Sequence, residues 1–226
     1  MINWNKHLNF SSAKNNKLLF WFAGASFFMA LFIKFTAEVF EDDKILKIDN
    51  SILTFIGSHL RYPFFNGIAV DITAMGSPTV ITIVSITAIS ALIFAKDRLG
   101  AIYLFLTVSG ATILMAVLKF FIARPRPQII THLVEVQGLS YPSGHSLIAT
   151  ATYLAIALLV CRYIKSIKKI VLLLLLTMLL ISLIALSRLY LGVHYPSDVM
   201  SGIFFGISWV LLLTAIFKMR VSNKNF

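Results

Sequence analysis

Residues 141–160 read YPSGHSLIATATYLAIALLV, a polar hexad set against an apolar run that contains no charge. Such a run suits hydrocarbon, which an α-helix crosses with about 20 mostly apolar residues. The stretch therefore reads as a membrane span that carries hydroxyls and an imidazole at its mouth. The rest of the chain agrees. Of 226 residues, 58% are hydrophobic and only 13% charged, with a mean hydropathy of +0.87. A soluble domain carries about twice that share of charge.

Working outward from 141–160, six segments are long and apolar enough to cross or nearly so: roughly 18–40, 76–95, 99–122, 145–162, 170–188 and 199–217. Lys34 interrupts the first and can snorkel toward its end. The long polar leader and the later spans make that segment an anchor rather than a cleaved signal. Residues 41–75, with ILKIDNSILTFIGSHL at 45–60, are amphipathic and read as a helix lying in the interface. The expectation is an all-α, polytopic membrane protein: six transmembrane helices, an interfacial helix between the first two, and one domain over 1–226. No linker or repeat divides it. The single cysteine, Cys161, lies in an apolar run and reads as packing.

The net charge of +11 would suggest nucleic acid in a soluble protein, but in a membrane protein its distribution matters first. With the N-terminus in the cytoplasm, the inner segments hold twelve cations: Lys6, Lys14, Lys17, Lys96, Arg98, Arg162, Lys165, Lys168, Lys169, Lys218, Arg220 and Lys224. The outer segments hold seven: Lys44, Lys47, Arg61, Lys119, Arg124, Arg126 and Arg188. Positive-inside anchoring in a cell membrane, with both termini cytoplasmic, accounts for most of the basic balance. The bilayer is then the expected partner; neither nucleic acid nor a protein partner is indicated. Lys119, Arg124, Arg126 and Arg188 fall on the wrong side to be topology signals, and they flank the histidines. They need a local purpose.

Three clusters supply one. Lys119 precedes Arg124-Pro125-Arg126-Pro127 at the end of the third span, where the prolines stop the helix. Forked guanidinium groups and a lysine point charge suit phosphate oxygens, although the same residues also serve as headgroup anchors. Ser143 is placed to cap the fourth span, Gly144 permits close backbone approach, and His145 lies in the first turn. A helix N-terminus attracts anions, and a plain cap is the simpler reading. Ser187-Arg188 precede His194 and Asp198 between the last two spans. A carboxylate four residues after a histidine can hold one ring nitrogen and leave the other free, or simply cap the next helix. Each cluster alone is ambiguous. Together they place cations, a helix N-terminus and two histidines at one membrane face, which reads as a phosphate site.

These residues resemble a known family. K-x6-R-P (Lys119 to Pro127), P-S-G-H (Pro142 to His145) and S-R-x5-H-x3-D (Ser187 to Asp198) are similar, in order and spacing, to the three signature motifs of the type 2 phosphatidic acid phosphatases. The compact size resembles the bacterial phosphatidylglycerophosphate and undecaprenyl diphosphate phosphatases of that family. The resemblance implies a membrane lipid phosphatase with its site at the outer face. His194 would be the nucleophile that forms a phosphohistidine, oriented by Asp198. His145 would protonate the leaving oxygen and then help to activate water. Lys119, Arg126 and Arg188 would hold the phosphoryl oxygens, aided by Ser143, Gly144 and Ser187. The expected substrate is a lipid such as phosphatidylglycerophosphate, with undecaprenyl diphosphate as the alternative. No cofactor is implied.

Arg124 lies outside the motif and reads as a supporting contact or a lipid anchor. Tyr141 and Tyr195 are expected at the interface, and His132 and Glu135 in a solvated loop. A metal site is disfavoured by the four cations and few carboxylates nearby, and a serine-hydrolase triad by the lack of a G-x-S-x-G elbow. Vanadate-dependent haloperoxidases share similar motifs but are soluble. A non-catalytic phospholipid transporter would favour charges buried along its spans and an inverted repeat. A neutral His194 working with a protonated His145 predicts a bell-shaped pH dependence.

Overall fold

The computed structural model describes the backbone of residues 5–41 and 43–220, and the side chains of 18–40 and 44–220. The described regular structure is entirely helical, as expected. It comprises α1 (Asn5–Glu41), α2 (Asp43–Phe55) running into a π-helical turn (Ile56–Leu60), α3 (Pro63–Ala74), α4 (Pro78–Phe94), α5 (Arg98–Ile122), α6 (Gly144–Cys161), α7 (Ile167–Tyr190) and α8 (Pro196–Arg220). Among the described residues, five helical stretches are long and apolar enough to cross a membrane: Leu18–Phe40 within α1, then α5, α6, α7 and α8. The pair α3–α4, bent by 43° at a short break, makes a sixth candidate when taken as one span. The placement of both termini rests partly on residues 1–4 and 221–226, which lie outside the described residues.

The region 41–75 departs from the single interfacial helix expected of it. Pro63 starts a new helix, for which its fixed φ and missing donor are suited. Residues 63–74 then pack along α7 and form with α4 a bent helix pair. What remains, α2, lays Leu53 and the adjoining Ile56 against Ala185 and Leu189 of α7 and Val199 of α8. At the break, Ser77 caps α4 by accepting from the Val80 N–H, with Pro78 at its first position.

The centre of the bundle is α6 with α8, half or more of whose apolar windows is buried, against 11% for α1. Lipid gives helices no hydrophobic reason to associate, so close packing must hold them. Gly202 and Gly206, one turn apart on α8, supply it. A Cβ on Gly202 would stand 2.8 Å from the Ser143 carbonyl, and one on Gly206 2.9 Å from that of Leu147. The two most buried helices are thus locked together at the N-terminal ends that carry Pro142–His145 and His194–Asp198.

Candidate active site

The site lies where the C-terminal ends of α5 and α7 meet the N-terminal ends of α6 and α8. α5 stops at Ala123, whose φ of +47° ends the helix in the left-handed region while its N–H still donates to Lys119 O. That reversal turns Arg124 and Arg126 back toward the bundle. The turn before His194 needs a similar device. Gly192 has φ +78°, and a Cβ there would stand 2.6 Å from Nη2 of Arg61 and 3.1 Å from Thr131 O. Only glycine fits.

His194 is 2% exposed. Its Nδ1 faces Asp198 Oδ2 at 3.4 Å and Ser140 Oγ at 3.3 Å, while Nε2 faces Nη1 of Arg126 at 3.3 Å. A carboxylate on one side and a guanidinium donor on the other assign the proton to Nδ1 and the lone pair to Nε2. Burial drives the ring's pKa down to about 4, although the hydrogen bond and charge of Asp198 pull it upward. The imidazole is therefore neutral at pH 7, with Nε2 available for attack.

Asp198 is fully buried and saturated with donors. Oδ1 accepts from Arg124 Nη1 at 2.6 Å; Oδ2 accepts from Tyr195 N–H at 2.9 Å and from Ser140 Oγ. Lys119 donates to the carbonyls of Leu139 at 2.6 Å and Ser140 at 3.3 Å. Arg126 donates to the carbonyls of Gln137, Gly138 and Val193 at 2.8–3.0 Å. Both cations thus fold the 123–143 loop over the site. Burial lowers the Arg126 pKa, which Asp198 partly offsets. Arg188 is 4% exposed and gives Nη1 to Thr73 at 2.8 Å, but its Nε has no hydrogen-bond partner among the described residues. A buried charged donor left unpaired costs at least about 1–3 kcal/mol, which an anionic oxygen would recover.

Ser143 caps α6, as expected: its Oγ accepts from Ser146 N–H at 3.5 Å and Ser146 Oγ at 3.0 Å. A Cβ on Gly144 would come no nearer than 3.5 Å to a neighbour, so protein packing does not demand glycine there. His145 lies within Coulombic reach of Arg188, His194, Arg126 and Lys119. The remaining candidate, Ser187, turns its hydroxyl onto Ile184 O at 2.7 Å, within its own helix.

Six of the motif residues thus converge: a neutral, carboxylate-held imidazole, a second imidazole, and three cations beside a helix N-terminus. Residues 100–222, just over half of the chain, match the PAP2 superfamily. The chain belongs to that superfamily. It is similar to phosphatidylglycerophosphatase B of Bacillus subtilis, 28% identical over 66% of this chain and 73% of that protein. It is also similar to an undecaprenyl-diphosphatase of Sulfolobus acidocaldarius, 34% identical over 66% of this chain and 68% of that one. The crystal structure of a transmembrane PAP2-type phosphatidylglycerolphosphate phosphatase from Bacillus subtilis shares the fold, with TM-score 0.80 at 24% identity over 89% of this chain and 98% of that one. This PAP2 protein is a multi-pass membrane protein, and its membership supports phosphatase activity.

The PAP2 motifs leave several members of the site unnamed. Thr73 and Gly76 come from the bent α3–α4 pair: Thr73 holds Arg188, and a Cβ on Gly76 would stand 3.3 Å from His145 Cδ2 and 2.7 Å from Ile184 Cγ2. Ser140 reaches both His194 and Asp198. Arg124 is neither an anchor in lipid nor a free cation. It is held between Asp198 and Asp49, with its guanidinium 4.1 Å from the Tyr195 ring centroid. Tyr195 is correspondingly buried, and Tyr141 is wholly so, its hydroxyl 2.7 Å from both Thr36 and Ser201. Both were expected at the interface. A tyrosine whose hydroxyl finds partners can go inside.

Proposed function

We propose that the protein hydrolyses the terminal phosphate monoester of a membrane lipid, phosphatidylglycerophosphate being the favoured substrate, through a phosphohistidine on His194. The observation that carries this is the line Asp198, His194 Nδ1, His194 Nε2, Arg126: it delivers a neutral imidazole lone pair to a point flanked by cations. In-line attack by Nε2 on phosphorus would break the bond to the lipid oxygen, which takes a proton from His145. Water, activated by His145, then attacks the phosphohistidine, releasing phosphate and restoring Nε2. Arg126, Arg188, Lys119 and the capped N-terminus of α6, with Ser143 and Gly144, would meet the charge on the equatorial oxygens. The two steps replace one difficult displacement.

The excess of inner cations supports cytoplasmic termini and a site at the outer face. Similarity to the phosphatidylglycerophosphatase supports the glycerol-phosphate ester, and the 34% identity to the undecaprenyl-diphosphatase supports the polyprenyl diphosphate as a second reading. Side-by-side hydrolysis of the two lipids, in detergent and in bilayers, separates them. At least tenfold higher kcat/KM for phosphatidylglycerophosphate is expected; a preference for undecaprenyl diphosphate would reverse the assignment. A His194→Ala variant that moved lipid without releasing phosphate would point instead to a transporter.

A further inference from the structure

Among the described residues, α2 contributes one carboxylate to the buried network around His194, and no motif includes it. Asp49 is 2% exposed, as buried as His194 itself. Its Oδ1 accepts from the Ser197 N–H at 2.9 Å, and its Oδ2 from Ser197 Oγ at 2.5 Å and Arg124 Nη2 at 2.9 Å. Arg124 spends its other arm, Nη1, on Asp198 Oδ1 at 2.6 Å and Ser197 Oγ at 2.7 Å. A guanidinium is a planar fork, so fixing one arm fixes the other. Tyr195 lies against its face.

We propose that Asp49 and Arg124 are positioning residues, a clamp from α2 and the 123–143 loop that aims Asp198 at His194. The proposal rests on His194 and Asp198 having the roles given above. Its geometry is specific. Asp198 can orient the imidazole only through Oδ2, and that oxygen is aimed only if the carboxylate cannot rotate. Arg124 takes Oδ1 and prevents the rotation; Asp49 keeps Arg124 from following the carboxylate or swinging toward the phosphate. Asp49 also ties the first turn of α8, through Ser197, to the same fork. A simple ion pair would need one carboxylate. Two buried carboxylates sharing one guanidinium are costly as mere stabilisation and intelligible as alignment.

The test is a double-mutant cycle in the purified full chain, with Asp49→Asn, Asp198→Asn and the double variant assayed on phosphatidylglycerophosphate in detergent. Asparagine preserves the shape and can still accept from Ser197 but loses the charge that holds Arg124. Asp49→Asn is expected to lower kcat about 10- to 100-fold, as loss of an outer partner to a functional side chain does, with KM changed less than threefold. The double variant should be no slower than Asp198→Asn alone, because Asp49 acts through Asp198. Arg124→Lys keeps the charge and loses the fork, and should show the same split between kcat and KM; it carries the test if Asp49→Asn does not fold. Wild-type kcat in Asp49→Asn, or losses that simply multiply in the double variant, would overturn the clamp. If Asp198→Asn itself retained full activity, the failure would lie in the roles assigned to His194 and Asp198, and the clamp would fall with them.

Discussion

The two ends of the α5–α8 bundle each hold an arginine paired with aspartate, and the pairs are unlike. At the site end, Arg124 is 10% exposed and its two carboxylates 2% and 0%. At the other end, Arg162 pairs with Asp97 at 20% and 17% exposure, beside the start of α5, where Asp97 also caps the helix through Gly100 N–H. The Asp97 arrangement is what a helix end needs: a cap, a counter-charge and water nearby. The Arg124 arrangement exceeds that need, since it gathers residues from α2, the 123–143 loop and α8. Burial penalises the Arg124 charge, yet Asp198 and Asp49 together raise its pKa. One end is built to stop a helix, the other to fix the orientation of side chains.

Substitutions can break this contrast in order of expected effect. Asp198→Asn should reduce kcat by roughly 10³- to 10⁴-fold, since a carboxylate that sets a histidine's tautomer is worth that much in comparable triads. Stopped assays of phosphate release measure it. Arg188→Ala should cost about 10²- to 10³-fold in kcat, as loss of one donor to a developing oxyanion does, and should also lower the unfolding temperature, because the buried hydroxyl of Thr73 loses its partner. Gly76→Ala should impair activity by displacing His145, and the same change should destabilise the protein because Ile184 is in the way. Gly144→Ala discriminates further: Met115 leaves room for the methyl, so the thermal midpoint should hold while KM rises if substrate phosphate approaches that backbone. Smallest of all, Arg162→Gln should cost about 1 kcal/mol of stability and leave kcat unchanged.

Acid should also separate the ends. His194 must be neutral to attack, and burial keeps its pKa near 4, well under the ordinary 6.5. The acid limb of kcat/KM, which reports the free enzyme, should therefore fall near pH 4, and activity should survive at pH 5.5. Loss of activity centred at pH 6.5 would mean that the ring is not held as described.

Much of this was legible in the sequence because the chemistry sits at helix ends. Lys119 and Arg126, Pro142–His145, and Arg188 with His194 and Asp198 lie in three short stretches, each bounded by a span whose apolar length sets its level. Asp49 was not legible. It occupies one polar position of an amphipathic segment, where carboxylates ordinarily face water, and only the docking of Leu53 and Ile56 buries it. Thr73 and Gly76 were hidden by the break between α3 and α4, because a span divided at Gly76-Ser77-Pro78 does not read as one run. Ser140 gave no signal: a serine before YPSGH becomes meaningful only when Asp198 is folded onto it. Tyr141 was misplaced because composition cannot show that Thr36 and Ser201 wait for its hydroxyl.

The nucleophile is the most directly testable element. Lipid carrying ³²P in its terminal phosphate is turned over by wild type, His145→Ala and His194→Ala, and quenched into alkaline detergent, where a phosphohistidine persists. Label should appear on the wild-type chain, be lost in acid, form and decay more slowly in His145→Ala, since that ring serves both steps, and be absent from an inactive His194→Ala. A His194→Ala chain that still releases phosphate at the wild-type rate, or still takes up label, would contradict the assignment.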